Sequence, residues 1–287
     1  MIKQTKDSAA VIGAGTMGRG IAQVFLQSGF KVLLIDIEDR ILREALQEIK
    51  DIYARLAEKG KISSKDKEEY LSGLNVSRDI RNIKGCPLVI EAVKEDIRVK
   101  KGLLREIEDV VPPGTIIASN TSSFSIQGLG SVLKKPHRFL GIHFFYPAPV
   151  MPLVEVIPGE KTSLEIEDRV ISLLKDMGRE PVKVKDSPGF IVNRLLLPYL
   201  NNAIKLYSQG IASRDDIDKA MKLGTNHPMG PLELADHIGL DICLNILENF
   251  YRELKDEASS PARLLREMVS SGKLGKKSGQ GFYSYEK

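Results

Sequence analysis

The chain has 287 residues, of which 42% are hydrophobic and 28% are charged, a composition typical of a folded globular protein. This length suits one large domain or, as we predict, two. The 42 Lys and Arg residues against 38 Asp and Glu residues give a formal net charge of +4 with both signs interspersed. Because a nucleic-acid-binding protein usually has a concentrated basic patch, we expect no nucleic-acid partner.

The two cysteines, Cys86 and Cys243, are far apart in the sequence. This spacing argues against a disulfide framework and against a structural zinc site, and it is typical of a reducing compartment. The N-terminal stretch MIKQTKDSAAVIGAG contains only a short apolar run before its glycines, so it predicts neither a signal peptide nor a membrane span. We therefore expect a cytoplasmic protein with no membrane partner and no metal.

Alternating strand and helix patterns predict an α/β domain of the Rossmann type over residues 1–186. The predicted strands are residues 8–12, 31–35, 87–90, 115–118, 138–143 and 153–157. The predicted helices cover residues 16–28, a helical hairpin within 38–72 that breaks at Gly60, and residues 95–110. Such alternation indicates a doubly wound, mostly parallel sheet with helices on both faces.

The pattern becomes helical throughout residues 187–287, which we predict to be a separate C-terminal all-helical domain for substrate binding and dimerisation. Apolar residues recur at helical spacing in four segments. These segments are residues 190–207, 214–223, 232–254 and 261–270.

A glycine-rich turn follows the first predicted strand and opens the first predicted helix. It reads Gly13-Ala14-Gly15-Thr16-Met17-Gly18, the spacing of a dinucleotide-binding fingerprint. Its three glycines allow a tight turn, close approach of the pyrophosphate and close packing of helix on strand. We expect these six residues to bind the cofactor.

Asp36 ends the second predicted strand, where a carboxylate accepts hydrogen bonds from the adenosine ribose. A carboxylate there also repels a 2′-phosphate, so the sequence predicts NAD rather than NADP. The alternative role of Asp36, as a helix N-cap, is compatible with either cofactor.

Polar side chains follow the later strands at the edge where parallel sheets bind ligands. Asn120 and Ser122 lie in the run SNTSS, which is either a plain polar turn or a set of donors for the nicotinamide and a substrate oxygen. His143 ends one predicted strand and Glu155 lies in the next. A carboxylate that orients an imidazole leaves the other ring nitrogen to exchange a proton with a substrate hydroxyl, although a buried structural histidine has the same pattern.

Several stretches along the chain resemble the short, monofunctional L-3-hydroxyacyl-CoA dehydrogenases, especially the bacterial 3-hydroxybutyryl-CoA dehydrogenases. They follow the order and spacing of that family over nearly the whole sequence. These stretches are VIGAGTMG from Val11, ASNTSSF from Ala118, GIHFFYPAPVMPLVEVI from Gly141, DSPGFIVNRLL from Asp186, NHPMGPLELAD from Asn226 and GKLGKKSGQGFY from Gly272.

The resemblance implies an NAD-dependent enzyme that interconverts an L-3-hydroxyacyl-CoA and a 3-ketoacyl-CoA. It implies that His143 is the catalytic base and that Glu155 orients it. It also implies that Ser122 and Asn193 hold the substrate oxygen.

Three further positions match binding residues of the family. Glu95 and Lys100 match contacts to the nicotinamide-side ribose, and Lys59 matches a contact to the CoA nucleotide. On local sequence alone Lys59 is a lysine that complements the dipole at a helix C-terminus. The resemblance also implies a homodimer or higher homo-oligomer.

Two positions depart from the family pattern. Tyr146 replaces an Asn that contacts the cofactor, and Pro152 replaces a Lys. Tyr146 therefore puts one cofactor contact in doubt. The pair of His143 and Glu155 is unaffected.

Two alternative functions stay open on the sequence. One is a dehydrogenase of a free hydroxy acid or sugar acid on the same fold, which needs no CoA contact. The other is a non-catalytic NAD-binding protein that retains the fold. A hydroxyisobutyrate-type enzyme is disfavoured because its catalytic lysine would lie where this chain has Asn193.

Overall fold

The computed structural model describes residues 8–255 and 257–285. The chain divides into two compact units, Met1–Asp186 and Ser187–Lys287. Among the described residues, no helix is both long and apolar enough to cross a membrane.

A single sheet of eight strands forms the centre of the first unit over the described residues, and its strand order is β3-β2-β1-β4-β5-β6-β7-β8. The strands are β1 (Ser8–Ile12), β2 (Lys31–Ile35), β3 (Leu74–Ser77), β4 (Leu88–Glu91), β5 (Ile116–Ser119), β6 (Phe139–Phe144), β7 (Leu153–Pro158) and β8 (Glu180–Lys183). All neighbours pair in parallel except β6 and β7, which are antiparallel. The predicted doubly wound, mostly parallel sheet is confirmed.

Helices cover this sheet, and the central strands β4 and β5 are buried along their whole length because both faces are packed. The helices of the first unit are α1 (Thr16–Gln27), α2 (Asp39–Glu58), α3 (Ser64–Gly73), α4 (Ile97–Val110), α5 (Ile126–Gly130) and α6 (Leu164–Asp176). The core includes the fully buried side chains Phe25, Leu34, Ile49, Tyr53 and Ile90.

The helices α2 and α3 form the predicted hairpin. Gly60 has a positive φ of 65°, which ends α2 at low steric cost. Ser63 then starts α3 with a capping box, in which its hydroxyl accepts from the Asp66 N–H and the Asp66 carboxylate accepts from the Ser63 N–H. The chain reversal between the two helices is therefore specified locally.

The second unit is helical and has its own apolar core. Its helices are α7 (Val192–Ser208), α8 (Arg214–Gly224), α9 (Pro231–Ile238), α10 (Leu240–Leu254) and α11 (Arg263–Ser270). The carboxylate of Asp236 in α9 accepts from the N–H groups of Phe282 and Tyr283, at 2.9 Å each, and so ties the C-terminal segment to the helices.

Two predicted details are wrong. The segment 232–254 is two helices rather than one, because Gly239 has a φ of 105° that interrupts the helix. The edge strands β3 and β8 were missing from the sequence prediction. Both are short and partly exposed, and β8 contains Pro181, so neither has the apolar pattern of a central strand.

Candidate active site

The turn between β1 and α1 has the geometry of a phosphate-binding loop. Gly13 has a φ of 104°, and a Cβ atom there would lie 2.5 Å from the Ala92 carbonyl oxygen. A Cβ atom on Gly18 would lie 1.7 Å from the Gly13 carbonyl oxygen, so the close packing of α1 on this turn requires glycine. Gly15, the N-cap of α1, is exposed with open space beside it, and no side chain caps the helix there. The first N–H groups of α1 are thus available to an anion.

Asp36 lies directly after β2 and fixes this turn. Its Oδ2 accepts from the Ala14 N–H at 2.9 Å, and its Oδ1 accepts from the Glu38 N–H at 3.1 Å. The N-cap of α2 is Glu38, so Asp36 is not the N-cap residue that the alternative interpretation required. The carboxylate is half-buried beside the glycine turn, where a ribose hydroxyl can reach it.

His143 and Glu155 face each other across the antiparallel pair of β6 and β7. The register places the two residues directly opposite, so their side chains leave the sheet on the same face. His143 Nδ1 lies 2.8 Å from Glu155 Oε2, with both residues at most 5% exposed. The Phe145 ring packs at 4.5 Å from the imidazole, measured between ring centroids. The imidazole is therefore held by Glu155 through Nδ1, so a proton exchange with a ligand would take place at Nε2.

The loop after β5 is linked to β6 near its carboxyl end. The side-chain oxygen of Asn120 accepts from the Phe144 N–H at 2.9 Å, one residue after His143. Since β5 and β6 are parallel neighbours, Ser122 lies at the same sheet edge as the histidine. The Ser122 side chain is half-buried, and its hydroxyl lies 3.4 Å from that of Ser123.

Glu95 holds the same loop from the N-terminal side of α4. Its Oε1 accepts from the Thr121 hydroxyl and from the N–H groups of Ser122 and Ser123, at 3.1 Å for each N–H. Its Oε2 lies 3.1 Å from the ammonium of Lys100. Lys100 is 1% exposed, so its charge lies inside the protein. A contact of either residue with the cofactor ribose stays a prediction.

The loop between β6 and β7 carries Tyr146 at the carboxyl edge of the sheet. The Arg179 guanidinium donates to the carbonyls of Ala148, at 3.4 Å, and Met151, at 3.3 Å, and burial lowers the pKa of Arg179. Gly20 of α1 also packs closely on Ala148. Tyr146 itself is 69% exposed, so this loop is fixed while its tyrosine ring is accessible.

Lys59 and Asn193 do not belong to the loops that follow the strands described above. Lys59 is the exposed C-cap residue of α2, the position at which a lysine complements the helix dipole. Asn193 belongs to the helical unit, where it lies half-buried in the first turn of α7. The predicted roles of both residues stay predictions.

Two family descriptions match almost the entire chain. Residues 8–187 match "3-hydroxyacyl-CoA dehydrogenase, NAD binding domain", and residues 189–285 match "3-hydroxyacyl-CoA dehydrogenase, C-terminal domain". The chain belongs to the 3-hydroxyacyl-CoA dehydrogenase family. The resemblance found in the sequence motifs is thereby confirmed.

Relatives within this family match over nearly their full length. A probable 3-hydroxybutyryl-CoA dehydrogenase of Bacillus subtilis is 45% identical over 276 residues, covering 96% of each chain. A 3-hydroxybutyryl-CoA dehydrogenase of Clostridioides difficile is 43% identical over 278 residues, covering 97% of this chain and 99% of the relative. The crystal structure of (S)-3-hydroxybutyryl-CoA dehydrogenase from Ralstonia eutropha superposes with a TM-score of 0.95 at 43% identity, covering 99% of this chain and 100% of that one.

The glycine turn and Asp36 fit the NAD that this family binds. The first N–H groups of α1 have no side-chain cap and lie beside the exposed Gly15, and the carboxylate stands next to this turn at the end of β2. When bound, NAD supplies the hydride acceptor for oxidation and, in its reduced form, the hydride donor.

The sequence prediction missed Glu91, and it named Ser119 and Thr121 only as members of the polar run SNTSS. Glu91, Ser119 and Thr121 are each at most 1% exposed. A signal for Glu91 was present, since a carboxylate that ends an apolar strand is the feature that singled out Asp36. Its pairing with Lys100 depends on the packing of α4, which the pattern does not contain.

Asp36 should make the protein bind NADH at least about tenfold more tightly than NADPH, because a 2′-phosphate would approach a carboxylate of like charge. The dissociation constants are measured by cofactor fluorescence. Asp36→Asn should reduce the preference, whereas Glu38→Gln, which removes an exposed carboxylate two residues away, should leave it unchanged. Equal affinity of the wild-type protein for the two cofactors would contradict the role of Asp36.

Proposed function

We propose that this chain is an NAD-dependent dehydrogenase that interconverts L-3-hydroxybutyryl-CoA and acetoacetyl-CoA. The buried cross-strand pair of His143 and Glu155, at 2.8 Å, carries this proposal because it gives a general base at the sheet edge that binds the cofactor. The likeness to 3-hydroxybutyryl-CoA dehydrogenases over nearly the whole chain supports the choice of substrate. It also disfavours a free hydroxy acid as the substrate.

In the oxidative direction, His143 accepts the proton of the C3 hydroxyl at Nε2. Glu155 accepts the hydrogen bond from Nδ1, which fixes the tautomer in which Nε2 carries no proton. As the imidazole becomes an imidazolium, the adjacent carboxylate stabilises the positive charge, and the low exposure of the pair strengthens that effect. In the reductive direction the same nitrogen returns the proton.

Ser122 and Asn193 orient the substrate oxygen in this proposal. The loop that carries Ser122 is fixed from both sides, by the hydrogen bond of Asn120 to Phe144 of β6 and by Glu95. A hydroxyl on a fixed loop holds the reacting oxygen with little loss of conformational entropy, which is the main contribution expected of such a site. The role of Asn193 rests on the family position alone.

We also propose that Lys59 contacts a phosphate of the CoA nucleotide. The side chain is exposed at the end of α2, in a turn that is ordered by Gly60 and the capping box of Ser63. Lys61, two residues later, is exposed as well, so the hairpin presents positive charge to an anionic substrate.

The protein is further proposed to be a cytoplasmic homodimer or higher homo-oligomer. Both Cys86 and Cys243 are buried free thiols, as is usual in a reducing compartment. We assign residues 1–186 to NAD binding and residues 187–287 to substrate binding and dimerisation. Large apolar side chains that are exposed on the helical unit support this assignment: Leu195, Leu206, Ile211 and Leu223.

Initial rates of NADH oxidation test the proposed substrate class. Acetoacetyl-CoA should be reduced rapidly, and free acetoacetate should be reduced at least about 100-fold more slowly in kcat/KM, because it lacks the binding energy of CoA. Comparable rates with the two compounds would favour the free-acid dehydrogenase. A protein that binds NADH but reduces neither compound would be a non-catalytic NAD-binding protein.

His143→Gln should lower kcat for acetoacetyl-CoA reduction by ~10²–10⁴-fold, because the general acid–base group is lost. NADH binding and the melting temperature should change little. Glu155→Gln should act in the same direction with a smaller loss. His137→Gln is the matched control, since His137 is exposed in the same unit. Near wild-type turnover of a folded His143→Gln protein would exclude the histidine as the base.

Lys59→Ala should raise KM for acetoacetyl-CoA by about 2- to 5-fold with little change in kcat, because an exposed phosphate contact is the same in the ground and transition states. The KM for acetoacetyl-pantetheine, which lacks the nucleotide phosphates, should stay constant. Lys61→Ala provides the control for a general loss of positive charge in the hairpin. If both substrates respond equally to Lys59→Ala, or neither responds, Lys59 is only a helix-end residue.

A further inference from the structure

A buried carboxylate lies beneath the ligand-binding edge at the end of β4. Glu91 is 0% exposed, and both its oxygens are occupied by donors of the protein. Its Oε1 accepts from the Lys100 ammonium at 2.6 Å and from the Val93 N–H at 2.8 Å, and its Oε2 accepts from the Ser119 hydroxyl at 2.6 Å. Glu91 is therefore internal to the protein and acts on a ligand only through other residues.

The contacts of Glu91 lead to the loop that contains Ser122. The ammonium of Lys100 joins Glu91 to Glu95, and Glu95 in turn accepts from the N–H groups of Ser122 and Ser123. A second path runs through Ser119, whose hydroxyl also accepts from the Thr121 N–H at 3.2 Å. Two independent chains of hydrogen bonds and ion pairs thus connect one buried carboxylate to the same loop.

This loop lies on the side of the sheet that receives the nicotinamide half of a dinucleotide. In a doubly wound sheet the pyrophosphate crosses the edge at the end of β1, and the two nucleotide halves lie on opposite sides of it. Asp36, after β2, marks the adenosine half. Glu91 and Ser119 end the strands β4 and β5 on the other side of β1.

We propose that Glu91 is a positioning residue, which sets the geometry of the nicotinamide half of the site by holding Lys100, and through it Glu95, and by holding Ser119. The proposal rests on the function proposed above. It extends that function to a side chain that contacts neither substrate nor cofactor.

The charges of Glu91, Lys100 and Glu95 explain how the loop that contains Ser122 depends on Glu91. Lys100 is a buried ammonium between two carboxylates, and such a group is stable only while its ionic partners are well placed. Without the charge of Glu91, the carboxylate of Glu95 is the one ionic partner of Lys100 that remains among the described residues. We expect Glu95 to move toward Lys100 and its hydrogen bonds to the loop to weaken. Its single carboxylate must then neutralise the Lys100 ammonium and also accept from the N–H groups of the loop.

Glu91→Gln tests this dependence with little change in shape. The amide oxygen still accepts a hydrogen bond, while the negative charge is removed. NADH affinity is measured by fluorescence and ADP affinity by calorimetry, since ADP occupies only the adenosine half. We expect NADH binding to weaken by about tenfold, as for the loss of a hydrogen bond to a charged group, and ADP binding to stay constant.

Glu108→Gln, on the helix α4 that also carries Lys100, is the matched control. Glu108 is also a buried carboxylate, 9% exposed, that accepts from the N–H groups of Lys134 and Lys135 and lies 3.8 Å from the Arg138 guanidinium. It lies near the C-terminal end of α4, whereas Lys100 lies near its N-terminal end. Glu108→Gln should lower the melting temperature without changing the affinity for NADH.

The outcomes separate positioning from a general structural role. The proposal is overturned if a folded Glu91→Gln protein binds NADH like the wild type, or if NADH and ADP binding weaken equally. Should this variant fail to fold, Ser119→Ala provides a second test, because it removes one donor to Glu91. It should weaken NADH binding by a few-fold and leave ADP binding unchanged. Unchanged NADH binding of the Ser119→Ala protein would overturn the proposal. A wild-type protein that binds NADH without reducing acetoacetyl-CoA contradicts the proposed function only, because the Glu91 comparison needs no turnover.

Discussion

The antiparallel pairing of β6 with β7 sets the geometry of the pair of His143 and Glu155. Residues 145–152 connect the two strands, and such a short connection allows an antiparallel pair but not a parallel crossover. The antiparallel register sets His143 opposite Glu155 at 2.8 Å, inside the protein. A shift of one residue would turn the two side chains to opposite faces of the sheet, so the catalytic geometry depends on the strand register.

Carboxylates hold the loops at the ligand-binding edge, where the chain has no regular secondary structure. Asp36 accepts from the Ala14 N–H of the glycine turn, and Glu95 accepts from two N–H groups of the loop after β5. Asp186 does the same at the start of α5, where it accepts from the N–H groups of Ile126 and Gln127. Hydrogen bonds of this kind are stronger than those between neutral groups, so the loops are ordered before a ligand binds.

Much of this arrangement was predictable because its signals are local. The glycine spacing after β1, Asp36 after β2 and the positions of His143 and Glu155 follow from strand patterns alone. The contacts of Glu91 were not predictable, because they join residues of β4, β5 and α4 that only the tertiary packing brings together. The division of 232–254 into two helices depends on one residue, Gly239, whose positive φ a periodic apolar pattern does not reveal.

The tautomer of His143 is the most direct test of the account. Long-range ¹H–¹⁵N spectra of histidine-labelled protein report which ring nitrogen is protonated, and with four histidines in the chain the His143→Gln protein assigns the signal. The hydrogen bond to Glu155 predicts a proton on Nδ1 and none on Nε2 in the neutral ring. A neutral ring with its proton on Nε2 would contradict the account, because it leaves no base facing the substrate.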